Sequence, residues 1–401
     1  MLTYFLIILP TLFIAYLLFS YLQEQKYKQK PYYKLSDVVW QRFAPAPEAQ
    51  LLHSVAMLGD VGAFATDGKD PVLKMLEVWQ EKNPQNSTVL FLGDNLYPIG
   101  LPPEGNRHRK LAEERLQLLL AHFTDFSGKG IFLSGNHDWF KGRKGGLAQM
   151  LRQQNYILSH SKGNVDYLPA NGCPGPVALQ LADGLLLVVI NTQWWVQRGE
   201  KPLGKEQGCP YESIDEFYVA LNTLLRQNRH QRILIAAHHP LYSNALHGGK
   251  FTVKQHVFPL TAAHKRFYIP LPIFGSLYPI YRKMFGAYED MSHRKYKKMR
   301  RRLLRIFHRY NNLIYVAGHD HNLQHFEVQQ NHYLVSGSGS KTSFVKKGGK
   351  ATFTLEQLGF FVLNYYDNGQ VWIEARIASV EEEAGLVVFR KRLKSILEPA
   401  L

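Results

Sequence analysis

Five short apolar runs in this chain each end in a tight turn that is followed by a side chain able to bind a metal ion. In Thr88–Tyr97 (TVLFLGDNLY), a buried-strand pattern ends at Gly93 and is followed by Asp94 and, three residues later, Tyr97. Open α/β sheets bind ligands at the carboxyl ends of their strands. One Gly-Asp turn is weak evidence, because most such turns are only turns. The repetition along the chain predicts an α/β fold with one functional edge.

The other four junctions follow the same design. Their polar residues are Asp60 after His53–Leu58, Asn136 with His137 and Asp138 after Ile131–Leu133, His238 after Arg232–Ala237, and His319 with His321 after Leu313–Ala317. Each alone has an ordinary explanation, such as a turn residue, a helix cap or a core histidine. Together, oxygen donors and imidazoles on one edge describe a site for two transition-metal ions. Two such ions ~3.5–4 Å apart would hold a phosphoryl group between them.

The motifs GDVG, GDNLY, GNHD, AAHHP and GHDH, in this order, resemble those of the calcineurin-like metallophosphoesterases, and most closely their purple acid phosphatase branch. That branch has a glycine where the wider family has a histidine, as at Gly62. It also has a tyrosine three residues after the second aspartate, as at Tyr97. The resemblance covers about Leu51 to Ile377. It implies a four-layer α/β/β/α sandwich of two mixed sheets and a metal-dependent phosphoric ester hydrolase.

The resemblance also implies a role for each residue at the junctions. The first metal ion would bind Asp60, Tyr97 and His321, the second would bind Asn136, His238 and His319, and Asp94 would bridge the two ions. A phenolate suits Fe(III) in the first site, and imidazoles with an amide suit a divalent ion such as Zn, Mn or Fe(II) in the second. His137 is expected to protonate the leaving group or to hold a substrate oxygen, while Asp138 orients its imidazole. His247 matches a substrate-side histidine of the family, and an incidental loop histidine is the alternative.

The amino terminus has the pattern of a membrane anchor. Leu2–Leu22 contains no charged residue, and as a helix it would be roughly 31 Å long, which is enough to cross a bilayer. The segment lacks the basic start and cleavage site of a signal peptide, so we expect an uncleaved single-pass anchor over residues 1–22. A basic, proline-containing linker over residues 23–50 would follow. Its lysines favour a cytoplasmic side, but large domains cross regardless of such charges, so the membrane side stays open.

The formal charge of +16 indicates anionic partners. Within an insertion over residues 251–310, an apolar stretch at 267–286 precedes a basic helix at 293–309. We interpret 267–309 as a surface that rests on anionic lipid. The alternative is a solvated helix on an ordinary lid. No recognition motif supports specific nucleic-acid binding.

The cysteines, the domain boundaries and the predicted function complete the sequence analysis of this chain. Cys173 and Cys209 are too few for a disulfide framework, and they either form one bridge or remain free. We expect the catalytic domain over residues 51–380 and a helical tail over residues 381–401. The predicted function is a membrane-tethered phosphomonoesterase. The alternatives are a diesterase or pyrophosphatase acting on a lipid-linked or nucleotide substrate, and a membrane-attached protein that binds anionic ligands at a slow metal site.

Overall fold

The computed structural model describes residues 2–264, 266–271 and 273–393, with residues 2–7 and 9 as backbone. The strands are β1 Tyr32–Tyr33, β2 Leu51–Leu58, β3 Ser87–Phe91, β4 Lys129–Phe132, β5 Val165–Tyr167, β6 Val177–Ala182, β7 Leu185–Val189, β8 Arg232–Ala236, β9 Leu313–Ala317, β10 Leu323–Val328, β11 Asn331–Ser336, β12 Ala351–Leu355, β13 Gly359–Tyr366, β14 Val371–Ile377 and β15 Leu386–Leu393. The α-helices are α1 Leu2–Tyr27, α2 Pro71–Lys82, α3 Arg109–Ala121, α4 Gly146–His160, α5 Gln193–Val196, α6 Ile214–Gln227, α7 Val253–Val257, α8 Leu277–Met284 and α9 Arg294–Phe307.

These strands form two mixed sheets. One has seven strands in the order β15-β14-β13-β2-β3-β4-β5, and the other has eight in the order β1-β12-β10-β11-β9-β8-β7-β6. Within them, β2 to β5 run parallel, and so do β7, β8, β9 and β11. Each parallel set therefore brings its carboxyl ends to one edge of its sheet.

Alternating side chains along the strands divide the apolar core into layers. In β2, Val55 and Met57 face the core between the sheets, whereas Ala56 and Leu58 face the helices that cover the seven-stranded sheet. The covering helices are α2, α3 and α4 on that sheet and α6 and α9 on the eight-stranded sheet. The predicted α/β fold with two mixed sheets is confirmed, and helices on both outer faces complete four layers.

The basic helix α9 covers a sheet and does not present an apolar face to lipid. Tyr296, Met299, Leu303 and Phe307 on this helix are fully buried in the core of the eight-stranded sheet. The apolar side chains of residues 294–307 are therefore not available to lipid, because the domain core already uses them, and contact between the basic face of this helix and lipid stays a prediction. Amphipathic spacing alone does not say whether lipid or a sheet will cover a helix.

The carboxyl-terminal segment contains a strand where we predicted a helix. Strand β15 pairs antiparallel with β14 at the edge of the seven-stranded sheet, and Phe389 and Leu393 are buried between the sheets. The helical prediction for 381–401 is wrong over β15, because a spacing of four residues fits both one helix face and alternate strand positions. Residues 394–401 lie outside the described part of the chain.

The amino-terminal segment forms α1, and the segment after it joins the domain. Among the residues with described side chains, no helix combines the length and the apolarity needed to cross a membrane. The anchor predicted over Leu2–Leu22 falls partly outside that set. In the predicted linker, β1 pairs with β12 and Trp40 packs into the core between the sheets.

The two cysteines lie in loops on either side of β6 and β7. Cys173 and Cys209 form a disulfide with an S–S distance of 2.05 Å. Both residues are buried. Of the two alternatives that the sequence left open, the structure therefore has the bridge and not two free thiols.

Candidate metal centre

The loops that follow β2, β3, β4, β8 and β9 meet at one edge shared by the two sheets. The backbone N–H of Asp60 donates to the carbonyl of Gly93 at 3.0 Å, which joins the first two loops. A Cβ at Gly59 would lie 2.8 Å from the Cα of Gly318, and one at Gly135 would lie 2.4 Å from the backbone nitrogen of Asp94. The glycines of the motifs are therefore required by close packing of these loops.

The glycine at position 62 has the same explanation. A Cβ there would lie 2.4 Å from the backbone nitrogen of Leu96 and 2.5 Å from the carbonyl carbon of Asn95. The loop that carries Tyr97 occupies the space that a side chain at position 62 would need. The glycine and the nearby tyrosine, which the sequence linked by resemblance, are thus linked by packing.

Three polar residues at this edge have left-handed backbone conformations. The φ angles are 61° at Asp60, 55° at Asp94 and 71° at His319. Such angles in residues other than glycine cost ~1–3 kcal/mol each and are common at functional sites. They turn the three side chains toward one another across the loops.

Three side chains surround the hydroxyl of Tyr97, and together with it they form what we name the Tyr97 group: Asp60, Asp94, Tyr97 and His321. The hydroxyl lies 2.8 Å from Asp60 Oδ1, 2.9 Å from Asp94 Oδ2 and 3.1 Å from His321 Nε2. His321 Nε2 is also 3.4 Å from Asp60 Oδ1. Three oxygens and one nitrogen therefore surround one small volume.

The second cluster, which we name the Asn136 group, consists of Asp94, Asn136, His238 and His319. Asn136 Oδ1 lies 2.9 Å from His238 Nε2 and 3.3 Å from His319 Nδ1. His238 Nε2 is 3.5 Å from Asp94 Oδ1. Asp94 therefore contributes one carboxylate oxygen to each group.

Backbone carbonyls fix which imidazole nitrogen faces the Asn136 group. His238 Nδ1 donates to the carbonyl of Leu92 at 2.8 Å, and His319 Nε2 donates to the carbonyl of Glu289 at 3.1 Å. The opposite ring nitrogens then carry the lone pairs that point into the group. Metal-binding histidines have this arrangement in proteins.

The electrostatics of the two groups favour bound cations. Burial opposes the charge on Asp94, but the imidazoles of His137 and His238 outweigh it and lower the pKa of that carboxyl to about 2. Burial and the carboxylates of Asp60 and Asp94 raise the pKa of Tyr97 well above its usual value. Burial lowers the pKa of His319 well below its usual value, which keeps the imidazole in the neutral form that binds metals. An oxygen-rich group beside a nitrogen-containing group suits two metal ions.

His137 faces this centre from the solvent side. Its Nδ1 donates to the carbonyl of Pro98 at 2.6 Å, and its Nε2 lies 3.9 Å from Asp94 Oδ2. The predicted orientation of this imidazole by Asp138 is wrong, because the carbonyl of Pro98 holds the ring instead. Adjacent residues in this turn point in different directions.

Asp138 has a different task, which is to hold the loops after β3 and β4 together. Its carboxylate accepts backbone N–H groups of Asp94 at 2.9 Å, Asn95 at 3.0 Å and Gly135 at 2.8 Å. It also accepts the side-chain amides of Asn95 at 3.1 Å and Gln153 at 2.9 Å. Asp138 therefore supports the backbone from which Asp94 and Asn136 project.

His247 and Lys341 also border the centre, and Asp290 and Arg282, which the sequence did not single out, support His247. The ring of His247 lies 4.1 Å from that of His319, centroid to centroid, and its Nδ1 donates to Asp290 at 2.9 Å. Arg282 in turn binds Asp290. Lys341 Nζ lies 3.2 Å from the ring centroid of Tyr97. The only feature of the sequence that could have pointed to Lys341 is the Gly/Lys-rich composition of its loop.

Comparison with known proteins agrees with this fold. The model of the calcineurin-like phosphoesterase family matches residues 53–323. Among solved structures, GAP50, the anchor in the inner membrane complex of Plasmodium, aligns over 86% of this chain and 90% of its own, with 15% identity and a TM-score of 0.50. The purple acid phosphatase PPD1 of yellow lupin (Lupinus luteus) seeds aligns over 87% of this chain and 55% of its own, with 16% identity and a TM-score of 0.50. PhoD aligns over 88% of this chain and 73% of its own, with 10% identity and a TM-score of 0.51. No curated protein matches the chain by sequence.

Proposed function

Since this chain belongs to the calcineurin-like phosphoesterase family and is a metal-dependent phosphoester hydrolase, we propose that it is a phosphomonoesterase with one metal ion at each donor group. The observation that carries the proposal is the position of Asp94, whose two carboxylate oxygens face different groups. A carboxylate shared in this way is the bridge that a two-ion site requires.

We propose Fe(III) at the Tyr97 group and a divalent ion, Zn, Mn or Fe(II), at the Asn136 group. When bound, such ions supply Lewis acidity toward phosphoryl oxygens and lower the pKa of water. The protein's own contribution is positional. His137 has Nδ1 fixed by Pro98, so Nε2 is the atom that can give a proton to the leaving oxygen. Lys341 adds positive charge beside Tyr97 for a phosphate oxygen.

The test of this proposal is metal analysis of the purified protein combined with its visible spectrum. We expect iron plus a divalent metal, and a tyrosinate–Fe(III) absorption band that disappears in Tyr97→Phe. Tyr365→Phe is the matched control, because Tyr365 pairs with His53 at the far end of β2. A spectrum that Tyr97→Phe leaves unchanged would refute the assignment of Fe(III) to the Tyr97 group.

Substrate class is tested with the same protein. We expect higher kcat/KM for an aryl phosphate monoester than for the matching diester, since a compact two-ion site holds a terminal phosphoryl group by several oxygens. The reverse ranking would favour the diesterase alternative. Absence of turnover of both esters by metal-loaded protein would refute the phosphoesterase proposal.

We also propose that the chain attaches to a membrane through an apolar surface formed by α1 and the insertion. On it, Leu12 is 62% exposed in α1, and Phe274 and Leu277 are 73% and 63% exposed in the insertion. Backbone N–H of Val253 donates to Glu24 at 2.9 Å, which joins the two segments. A monomeric domain rarely exposes so much apolar side chain without a partner.

The charge beside this surface matches an anionic bilayer. A crevice of about 930 Å³ between α1 and the insertion is lined by aromatic residues and by Lys28, Lys346 and Lys347, among others. Basic residues next to an interfacial apolar face bind anionic lipid head groups. The similar structure of GAP50, described as an anchor in an inner membrane complex, also supports attachment.

Vesicle binding tests this attachment. The full chain should sediment with vesicles that contain anionic phospholipid, and a Phe274→Ser, Leu277→Ser variant should bind them at least several-fold more weakly. Val219→Ser, on α6, is the control, because Val219 is 67% exposed outside the proposed surface. Equal binding by wild type and the double variant would show that the insertion does not contact lipid.

A further inference from the structure

The segment that returns from the insertion to α9, residues 286–293, crosses the Asn136 group; we name it the return segment. The carbonyl of Glu289 accepts from His319 Nε2 at 3.1 Å. Two residues later, the backbone N–H of Met291 donates to the carbonyl of His247 at 2.9 Å. The return segment is therefore bonded to a predicted metal ligand and to the loop of a predicted catalytic residue.

Asp290, between these two contacts, is only 2% exposed and binds three partners. Its Oδ1 accepts from His247 Nδ1 at 2.9 Å, and its Oδ2 accepts from Arg282 Nε at 2.8 Å and from the backbone N–H of Ala287 at 2.7 Å. Arg282 Nη2 also donates to Oδ1. A planar guanidinium that donates to both oxygens of a carboxylate fixes its orientation.

This arrangement determines how His247 is presented. Because Nδ1 donates to a fixed carboxylate, Nε2 is the ring nitrogen left for substrate. The ring lies 4.1 Å from that of His319, at 33° to it, so His247 borders the Asn136 group. The ion pair between Arg282 and Asp290 would by itself only join α8 to the return segment. The hydrogen bond from His247 to Asp290 connects this pair to the active site.

We propose that Asp290 is a positioning residue that orients His247 toward the phosphoryl group, and that Arg282 holds Asp290 in place. The inference rests on the phosphoesterase function proposed above. It assigns the insertion a part in the active site, since Arg282 lies on α8 and Asp290 on the return segment. Loss of a partner that orients a site residue typically lowers activity ~10–100-fold.

The first measurement is a double-mutant cycle on metal-loaded protein. Asp290→Asn should lower kcat ~10–100-fold with unchanged metal content, and in a His247→Gln background it should have little further effect. Such non-additivity is expected when two residues act as one unit. Additive losses, or wild-type kcat in Asp290→Asn, would overturn the proposal. If Asp290→Asn fails to fold, Arg282→Lys replaces it, because lysine keeps the positive charge but cannot donate to both carboxylate oxygens. Its loss of kcat should be smaller and should likewise disappear in the His247→Gln background.

The second measurement does not depend on activity. In metal-free protein with ¹⁵N-labelled histidine, the signals absent from His247→Gln identify His247, and they should report a proton on Nδ1. In Asp290→Asn the same signals should shift toward a mixture of tautomers, and an unchanged spectrum would overturn the proposal. A failure of the proposed phosphoesterase function gives a different result. In that case the metal-loaded wild type hydrolyses no ester, while the His247 signals still change in Asp290→Asn.

Discussion

Replacing Asp94 with alanine should lower kcat/KM for a phosphate monoester on the order of 10³-fold or more and reduce the metal bound at both donor groups. The effect is large because one side chain serves three purposes. Its oxygens face Tyr97 at 2.9 Å and His238 at 3.5 Å, and Oδ1 also accepts the backbone N–H of His137 at 2.8 Å. The measurements are metal content per chain and steady-state kinetics.

Asp166→Ala is the matched control for this variant. Asp166 lies on β5 of the same sheet, away from the donor groups, and pairs with Lys129 at 2.6 Å, where both side chains are partly exposed. It should keep wild-type metal content and rate. An Asp94→Ala protein that retains two ions per chain and near-normal kcat/KM would contradict a shared carboxylate.

Replacing Asp138 with alanine should destabilise the fold by roughly 4 kcal/mol or more in the free energy of unfolding. The side chain is fully buried, and its carboxylate accepts from Asp94, Asn95, Gly135 and Gln153. Each buried donor left without an acceptor costs ~1–3 kcal/mol. Urea denaturation followed by circular dichroism measures the loss.

An exposed aspartate provides the comparison. The Asp215 side chain is 75% exposed and pairs with Arg302, so Asp215→Ala should cost at most ~1 kcal/mol. Similar unfolding midpoints for Asp138→Ala and Asp215→Ala would mean that Asp138 does not hold the two loops together. The loss in the free energy of unfolding for Asp138→Asn should lie between those of the two alanine variants, since asparagine keeps one acceptor oxygen.

The donor residues could be predicted from the sequence because each depends on local information. An apolar run predicts a buried strand, a glycine marks the turn, and the next residue lies at the strand's carboxyl end. Asp60, Asp94, Asn136 and His319 all follow this pattern, and His238 follows its apolar run directly, without a glycine. Parallel pairing then brings them together whatever the intervening loops do.

The parts that could not be predicted depend on contacts between distant segments. His247 and Asp290 are separated by 43 positions, in loops without periodic patterning. Asp138 adjoins His137 in sequence, which suggested a contact, yet its oxygens bind Gln153 and the loop of Asp94. For α9 the sequence predicts a basic helix, but only the structure identifies the sheet that covers its apolar side chains.

The bond between Cys173 and Cys209 also bears on where this hydrolase acts. Cystine bridges accumulate in oxidising compartments and are rare where glutathione and thioredoxin keep thiols reduced. A protein that keeps this bridge in the cell works in an oxidising space. The lysines after α1 would favour the opposite side, whereas the disulfide is part of the folded catalytic domain itself. Phosphate esters that reach the bridged form of the enzyme would then be those of an oxidising compartment.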